Sequence, residues 1–283
     1  MLAEYSVKKS KHKMGKYIYA FILLILLLYA CNQNNTSVEE VAILPVAPEK
    51  LSSPEELFDF SDTKVITLET NKGNLLSDIR KVQIYDDKIF IQDESPILYV
   101  FDMDGYYLYK IDHLGQGPEE YIQLSDFDVF DSCIYICSKV EKKLKVYNLK
   151  GDYLTTYNFD DDWYSNIQVQ YPIVYLYSDY GSQKLKSLTI YNLNKEQVVA
   201  EYMPIEENQS YSVRRPTFVK NDDGTTLLAR VFDDNIYQLT DNILEKKYQI
   251  DFKTEDQLPK NIYEIDFVEL SRKMAGKKVI TRI

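Results

Sequence analysis

One short pattern returns four times at near-constant spacing, and it limits the possible folds more than any other feature of the chain. Val100-Phe101-Asp102-Met103-Asp104-Gly105 matches Val146-Tyr147-Asn148-Leu149-Lys150-Gly151 position by position. Ile190-Tyr191-Asn192-Leu193-Asn194-Lys195 continues the series, and Ile236-Tyr237-Gln238-Leu239-Thr240-Asp241 is a degraded fourth copy. The steps between copies are 46, 44 and 46 residues. Each copy reads as a strand running into a hairpin turn.

The flanks repeat too. Strand-rich stretches precede each copy: Lys88–Gln92, Ser132–Cys137, Ile173–Tyr177 and Thr226–Ala229. Shorter strands stand before them, as in Val82–Tyr85 and Phe127–Phe130. Further strands follow at Tyr106–Ile111, Tyr153–Phe159, Gln197–Tyr202 and Glu245–Phe252. Four short strands per repeat of this length predict an all-β fold, a β-propeller of four-stranded blades. A twisted sheet buries both apolar faces only by stacking between neighbours. A helical solenoid fails, since no segment after residue 60 keeps apolar spacing at i, i+3, i+4 and i+7. Ser53–Phe58 alone resembles a capped helical turn. Lys64–Glu69 reads as a lone strand able to complete a last blade. Only 31 residues follow Phe252, with a helix expected near Ile265–Leu270, whereas two more blades need about 90 residues at this period.

The first thirty residues predict a destination. Five lysines between Lys8 and Lys16 precede the uncharged run Tyr17–Ala30. Its 14 residues are short of the roughly 20 a spanning helix needs, and match a secretory signal. Met14 is an alternative start. Leu28-Tyr29-Ala30-Cys31 resembles a bacterial lipobox, which predicts cleavage before Cys31 and lipid on its thiol; Tyr29 is an unusual occupant. Two or three acyl chains hold a protein on a bilayer stably where one does not. The expected domains are a signal peptide over 1–30, the lipidated Cys31 and a tether over 31–59, blades over 60–252, and an incomplete segment over 253–283.

Composition narrows the partners. Cleavage removes five basic residues of 33 and one acidic of 44, leaving a net charge of −15. That balance opposes nucleic acid, which rewards clustered Lys and Arg. The 25 tyrosines favour strands. Cys133 and Cys137 lie four residues apart on one strand, beyond a disulfide's reach, and read as packed hydrophobes.

The lipobox, the repeats and the linker His113-Leu114-Gly115-Gln116-Gly117-Pro118-Glu119-Glu120-Tyr121 together resemble the six-bladed β-propeller lipoproteins of Bacteroidetes, related in shape to NHL-repeat and TolB-like propellers. The linker is similar to that family's G-x-G-P-G-E-Y between the first two blades, with Glu119 in place of Gly. The resemblance implies six blades, so that this chain reads as C-terminally truncated, with an address in the cell envelope, outer membrane favoured. It implies no activity.

Candidate chemistry is sparse. The glycine linker lacks the Lys-Ser/Thr of a phosphate loop and reads as an interblade crossover. Asp160-Asp161-Asp162, Asp222-Asp223-Gly224 and Asp102–Gly105 lack EF-hand spacing and suit turns, so no metal is expected. After cleavage His113 is the only histidine, too few for a zinc site, and no Ser-His-Asp set is apparent. Carboxylate pairs leave glycosidase-like chemistry open. Trp163, Tyr164 and His113 are the expected ligand-face residues, with Tyr106-Tyr107 a weaker aromatic candidate; the competing reading packs such rings between blades. The expectation is a binding or interaction module without cofactor, partnered by an envelope protein or glycan. The alternatives are an envelope enzyme acting on carbohydrate or peptide through carboxylates, and an inactive fragment.

Overall fold

The computed structural model describes residues 41–46, 61, 63–159, 163–178, 186–205, 218–221, 223–230, 233–252, 265, 268, 269 and 272. After β1 (Ala42–Val46), the strands fall into four sheets. Blade one holds β2 (Lys81–Tyr85), β3 (Lys88–Gln92), β4 (Leu98–Asp102) and β5 (Tyr107–Ile111). Blade two holds β6 (Asp126–Phe130), β7 (Cys133–Ser138), β8 (Lys143–Asn148) and β9 (Tyr153–Asn158). Blade three holds β10 (Asn166–Gln170), β11 (Ile173–Tyr177), β12 (Lys186–Asn192) and β13 (Gln197–Pro204). Blade four holds β14 (Phe218–Lys220), β15 (Thr226–Ala229), β16 (Asn235–Thr240) and β17 (Ile243–Phe252). Each blade is antiparallel in chain order, and the first strands lie side by side, β6 against β2 and β10, β10 against β14. Four four-stranded blades so arranged make a β-propeller fold, as the repeat predicts.

Local chemistry explains several of the hairpins. Asp86-Asp87 and Asp131-Ser132 hold positive φ at both central positions, the two-residue turn whose twist matches the strands it joins. The recurrent pattern closes the outer hairpins. Asp102 Oδ1 accepts the N–H groups of Asp104 (3.0 Å) and Tyr106 (2.9 Å), and Asn148 Oδ1 accepts those of Lys150 (2.8 Å) and Asp152 (3.0 Å). Asn192 Oδ1 accepts the Lys195 N–H at 3.0 Å. The register slips at Val100/Phe101, Val146/Tyr147, Ile190/Tyr191 and Ile236/Tyr237. A β-bulge therefore sits at the same place in every repeat, which bends and twists each blade alike.

The core is made between blades. Phe90, Leu98, Val100 and Ile111 of blade one pack on Phe127, Val129, Ile134, Ile136 and Tyr147 of blade two. Tyr135, Cys137, Leu144 and Val146 meet Ile167, Val169, Val174, Leu176 and Tyr191 of blade three. Tyr175, Tyr177, Leu188 and Ile190 meet Leu228 and Leu239 of blade four. Fully burying one such side chain contributes roughly 1.5–3 kcal/mol, so the joints carry the fold. Cys133 and Cys137 are free thiols; Cys137 is buried among apolar side chains, which pushes its pKa up and leaves it inert.

Two expectations near the N-terminus are corrected. Lys64–Glu69 forms no strand and completes no last blade; it lies on blade one, where Ile66 and Leu68 cover Ile89, Ile91, Tyr99 and Phe101. The Glu69 N–H donates to the Gly105 carbonyl at 2.8 Å, and Glu69 Oε2 accepts the Tyr107 N–H at 3.0 Å. Instead Ala42–Val46, read from sequence as tether, pairs in parallel with β17 and widens blade four to five strands. The open edge of β17 presents unpaired N–H and C=O groups, and this run supplies their partners. Cys31, the signal segment and Ser53–Phe58 lie outside the described residues. Of the expected C-terminal helix, Val268 and Glu269 are helical, as is Arg272 beyond it.

Gly105 and Gly151 occupy equivalent turns at the same φ of +88°, and the Lys64–Glu69 segment, a strap across blade one, separates their roles. A Cβ at Gly151 meets only Ile111 and Tyr109 at ordinary contact distance, whereas one at Gly105 runs into the Thr67 backbone carbonyl. Gly151→Ala is expected to cost about 1–2 kcal/mol, the left-handed backbone term alone. Gly105→Ala is expected to cost more and to free the strap. Urea unfolding of the two variants checks the order; equal losses would contradict it.

Candidate functional site

The inner strands carry polar residues at alternate positions, and the ion pair Lys81–Asp126 and the buried carboxylate of Asp128 lie on them. Lys81 and Gln83 stand on β2, Asp126 and Asp128 on β6, Gln168 and Gln170 on β10. An inner strand has a sheet neighbour on one side only, so its other backbone groups need side-chain partners. Each blade supplies them to the next. Lys81 Nζ donates to Asp126 Oδ1 (2.7 Å) and to the Phe127 carbonyl (2.6 Å). Gln83 embraces Val129, donating to its carbonyl and accepting its N–H. Asp126 Oδ2 accepts the Ile167 N–H at 2.8 Å, and Gln170 Nε2 donates to the Gly224 carbonyl at 2.6 Å.

Asp128 is the centre of this seam. Oδ1 accepts Gln83 Nε2 and the Val129 N–H, each at 2.9 Å; Oδ2 accepts Gln168 Nε2 (2.7 Å) and the Val169 N–H (2.6 Å). Three blades meet on one carboxylate. Burial pushes its pKa up to about 6, against the lowering effects of Lys81, the Val169 N–H and Gln83. Both oxygens of Asp126 and Asp128 are engaged, so this carboxylate pair is spent on joining blades. Each of its four oxygens already accepts at least one hydrogen bond from the protein.

The second candidate is the crossover between blades one and two. Tyr121 is fully buried, with its hydroxyl 2.9 Å from the carbonyls of both Pro96 and Ile111. Its N–H donates to the His113 carbonyl, and the Gly115 N–H donates to the Tyr121 carbonyl. The Glu120 carboxylate folds back to accept the Gly117 N–H at 2.9 Å, filling the space where side chains at 115 and 117 would stand. Buried Lys145 and Tyr147 hold the loop from beneath, donating to the carbonyls of Pro118 and Glu119, each at 2.9 Å. Burial lowers the Lys145 pKa. Asp112, His113, Leu114, Gly117, Pro118, Glu119 and Glu120 line a shallow concavity of about 410 Å³ on this loop. The glycine linker is thus a latched crossover, as its composition predicts.

The predicted ligand-face residues separate. His113 is half-buried, edge-on to Tyr147 at 5.4 Å, beside the concavity. Trp163 is half-buried at the entry to blade three, with Lys139 Nζ 4.4 Å from its ring centre. Tyr164 is no surface ring: it is 3% exposed and packs edge-on against Phe159 at 5.2 Å. The structure places Tyr164 in the joint between blades two and three. Among weaker candidates, Tyr106 is exposed and Tyr107 packs on Phe101, while Asp160–Asp162 and Asp222 lie outside the described residues. Among the described residues no three His, Cys, Asp or Glu side chains are grouped to hold a metal, and no helix is long and apolar enough to cross a membrane.

Sequence reasoning missed the seam. Alternating Lys81/Gln83 and Asp126/Asp128 in otherwise apolar strands is the signal that could have found it.

These features define the class as a β-propeller protein with side-chain-clamped inner strands. Residues 47–282 match the family described as a domain of unknown function, DUF4934, and the chain belongs to that family. A structure from Bacteroides fragilis NCTC 9343, of a protein named as exported, is similar at 16% identity and a TM-score of 0.65, covering 85% of this chain. The chain spans 66% of that protein's length. A DUF4221 family member from Bacteroides vulgatus ATCC 8482 is similar at 13% identity and a TM-score of 0.42, over 63% of this chain and 59% of that one. No curated protein matches.

Proposed function

We propose that this chain is an envelope lipoprotein, anchored through lipid on Cys31, that works as a non-catalytic binding or protein-interaction module. One observation carries the reading. Val82 and Ile84 on the inner strand of blade one are 50% and 60% exposed. Their counterparts, Phe127 and Val129 in blade two and Ile167 and Val169 in blade three, are at most 1% exposed because the preceding blade covers them. An apolar surface built like an interior joint suits a covering surface of the same kind, a protein partner or a closing blade of the propeller. The engaged oxygens of Asp126 and Asp128 count against the enzyme alternative.

The similar exported protein supports an envelope address, and the outer membrane is the membrane proposed. Its greater length supports the finer reading of a six-bladed, NHL- or TolB-like propeller. His113 and Trp163 remain the proposed small-ligand contacts, a glycan being the second class of partner.

A photo-crosslinking residue at Ile84 is expected to trap a discrete partner in intact cells, while one at exposed Leu154 on β9 does not. Equal labelling at both sites, or turnover of a glycan or peptide by the purified protein, would overturn the reading. Cys31→Ser is expected to abolish acyl labelling and release the chain from membranes; retention on the membrane would defeat the anchor.

A further inference from the structure

We propose that Asp128 and Gln168 form a proton-accepting joint, in which a proton taken up on Asp128 Oδ2 turns the Gln168 carboxamide over and leaves the blades clamped.

The geometry names the group that turns. All four contacts of the Asp128 carboxylate are N–H donors, so a neutral carboxyl needs one of them to become an acceptor. The Val129 and Val169 backbone amides cannot reverse. Gln83 is held at both ends, its Oε1 accepting the Val129 N–H at 3.0 Å and its Nε2 donating to the Val129 carbonyl at 2.9 Å. Gln168 makes one side-chain hydrogen bond among the described residues, the one to Asp128. Turned over, it presents Oε1 to the new O–H. The hydroxyl oxygen still accepts the Val169 N–H through a remaining lone pair, so the joint keeps its bond count with the proton drawn from solvent.

The charged groups facing Asp128 are Lys81 from β2, which favours the carboxylate, and Asp126 on its own strand, which opposes it. Burial outweighs Lys81, so uptake falls in mildly acidic solution. An acid whose folded-state pKa lies above its unfolded value weakens the fold while ionised. For Asp128 that cost is present above about pH 6 and fades as pH falls toward 3.8.

The test is NMR on the full chain between pH 5 and 8. The Asp128 carboxyl carbon is expected to titrate with a midpoint near 6, with the Gln168 side-chain amide signals moving at the same midpoint and those of Gln83 staying in place. An Asp128 still ionised at pH 5, a Gln168 unmoved while Asp128 titrates, or a Gln83 that moves instead would each overturn the proposal.

Discussion

Asp128→Ala is expected to lower the stability of the chain by about 3 kcal/mol at pH 7.5, because each buried donor left without an acceptor costs about 1–3 kcal/mol. Of the four donors on this carboxylate, the Val129 N–H keeps Gln83 Oε1 and Gln83 Nε2 keeps the Val129 carbonyl, so the two left without an acceptor are Gln168 Nε2 and the Val169 backbone amide, which cannot swing to water. Loss of the ionised group relieves its own desolvation, which holds the total toward the low end of the sum for two orphaned donors. Asp128→Asn is expected to cost about 1–3 kcal/mol, since it restores one acceptor oxygen but sets an N–H₂ against the donors at the other position. Urea unfolding supplies both values. An Asn variant as stable as the wild type would show that this carboxylate does not clamp the seam. The charge-conserving Asp128→Glu change tests geometry separately, because the longer stem cannot meet donors from three blades at once.

The crossover gives the second large effect. Tyr121→Ala is expected to cost about 3–5 kcal/mol, the usual range for emptying a fully buried aromatic site. Tyr121→Phe keeps the ring and loses only the hydroxyl bond shared by the Pro96 and Ile111 carbonyls, so about 1 kcal/mol is expected. The two substitutions also divide the consequences. With the ring gone, the Tyr121 backbone bonds to His113 and Gly115 lose their anchor, and the loop that shapes the concavity opens. Limited proteolysis is expected to cut within residues 112–121 in Tyr121→Ala and not in Tyr121→Phe. A wild-type digestion pattern in both would place the latch elsewhere, most directly on Lys145 and Tyr147 beneath the loop.

The crossover and the seam depend on sequence information of different kinds. The crossover is local: Gly115, Gly117, Glu120 and Tyr121 lie within seven residues, and all are used within one loop and the sheets it joins. Such a cluster is visible before folding because glycine and proline at a turn have few other uses. The seam is not local. Gln83 and Val129 are separated by 46 residues and Asp128 and Val169 by 41, and no pattern within either segment announces the partner. Tyr164 failed as a surface residue for the same reason. A tyrosine after an acidic run suits a loop, but the stacking of blade three on blade two closed over it.

Sequence by itself determined the all-β class, the four blades and the turn that ends each repeat's third strand. Those rest on short-range physics: alternation along a strand, positive φ at turn residues, and Asp or Asn oxygens capping their own hairpins. Only the tertiary structure decided which segment covers the first blade, which strand widens the fourth, and which carboxylates are consumed in holding blades together. Composition ranks the two runs the wrong way for a free sheet edge, since Lys64–Glu69 carries Val65, Ile66 and Thr67 while Pro45 interrupts Ala42–Val46. The choice follows from what each meets: the Gly105 turn admits a close backbone at Thr67, and β17 offers an unpaired edge to Ala42–Val46. Likewise Val82 and Phe127 fill the same place in their strands, and only the stacking of blades leaves one at 50% exposure and the other at 0%.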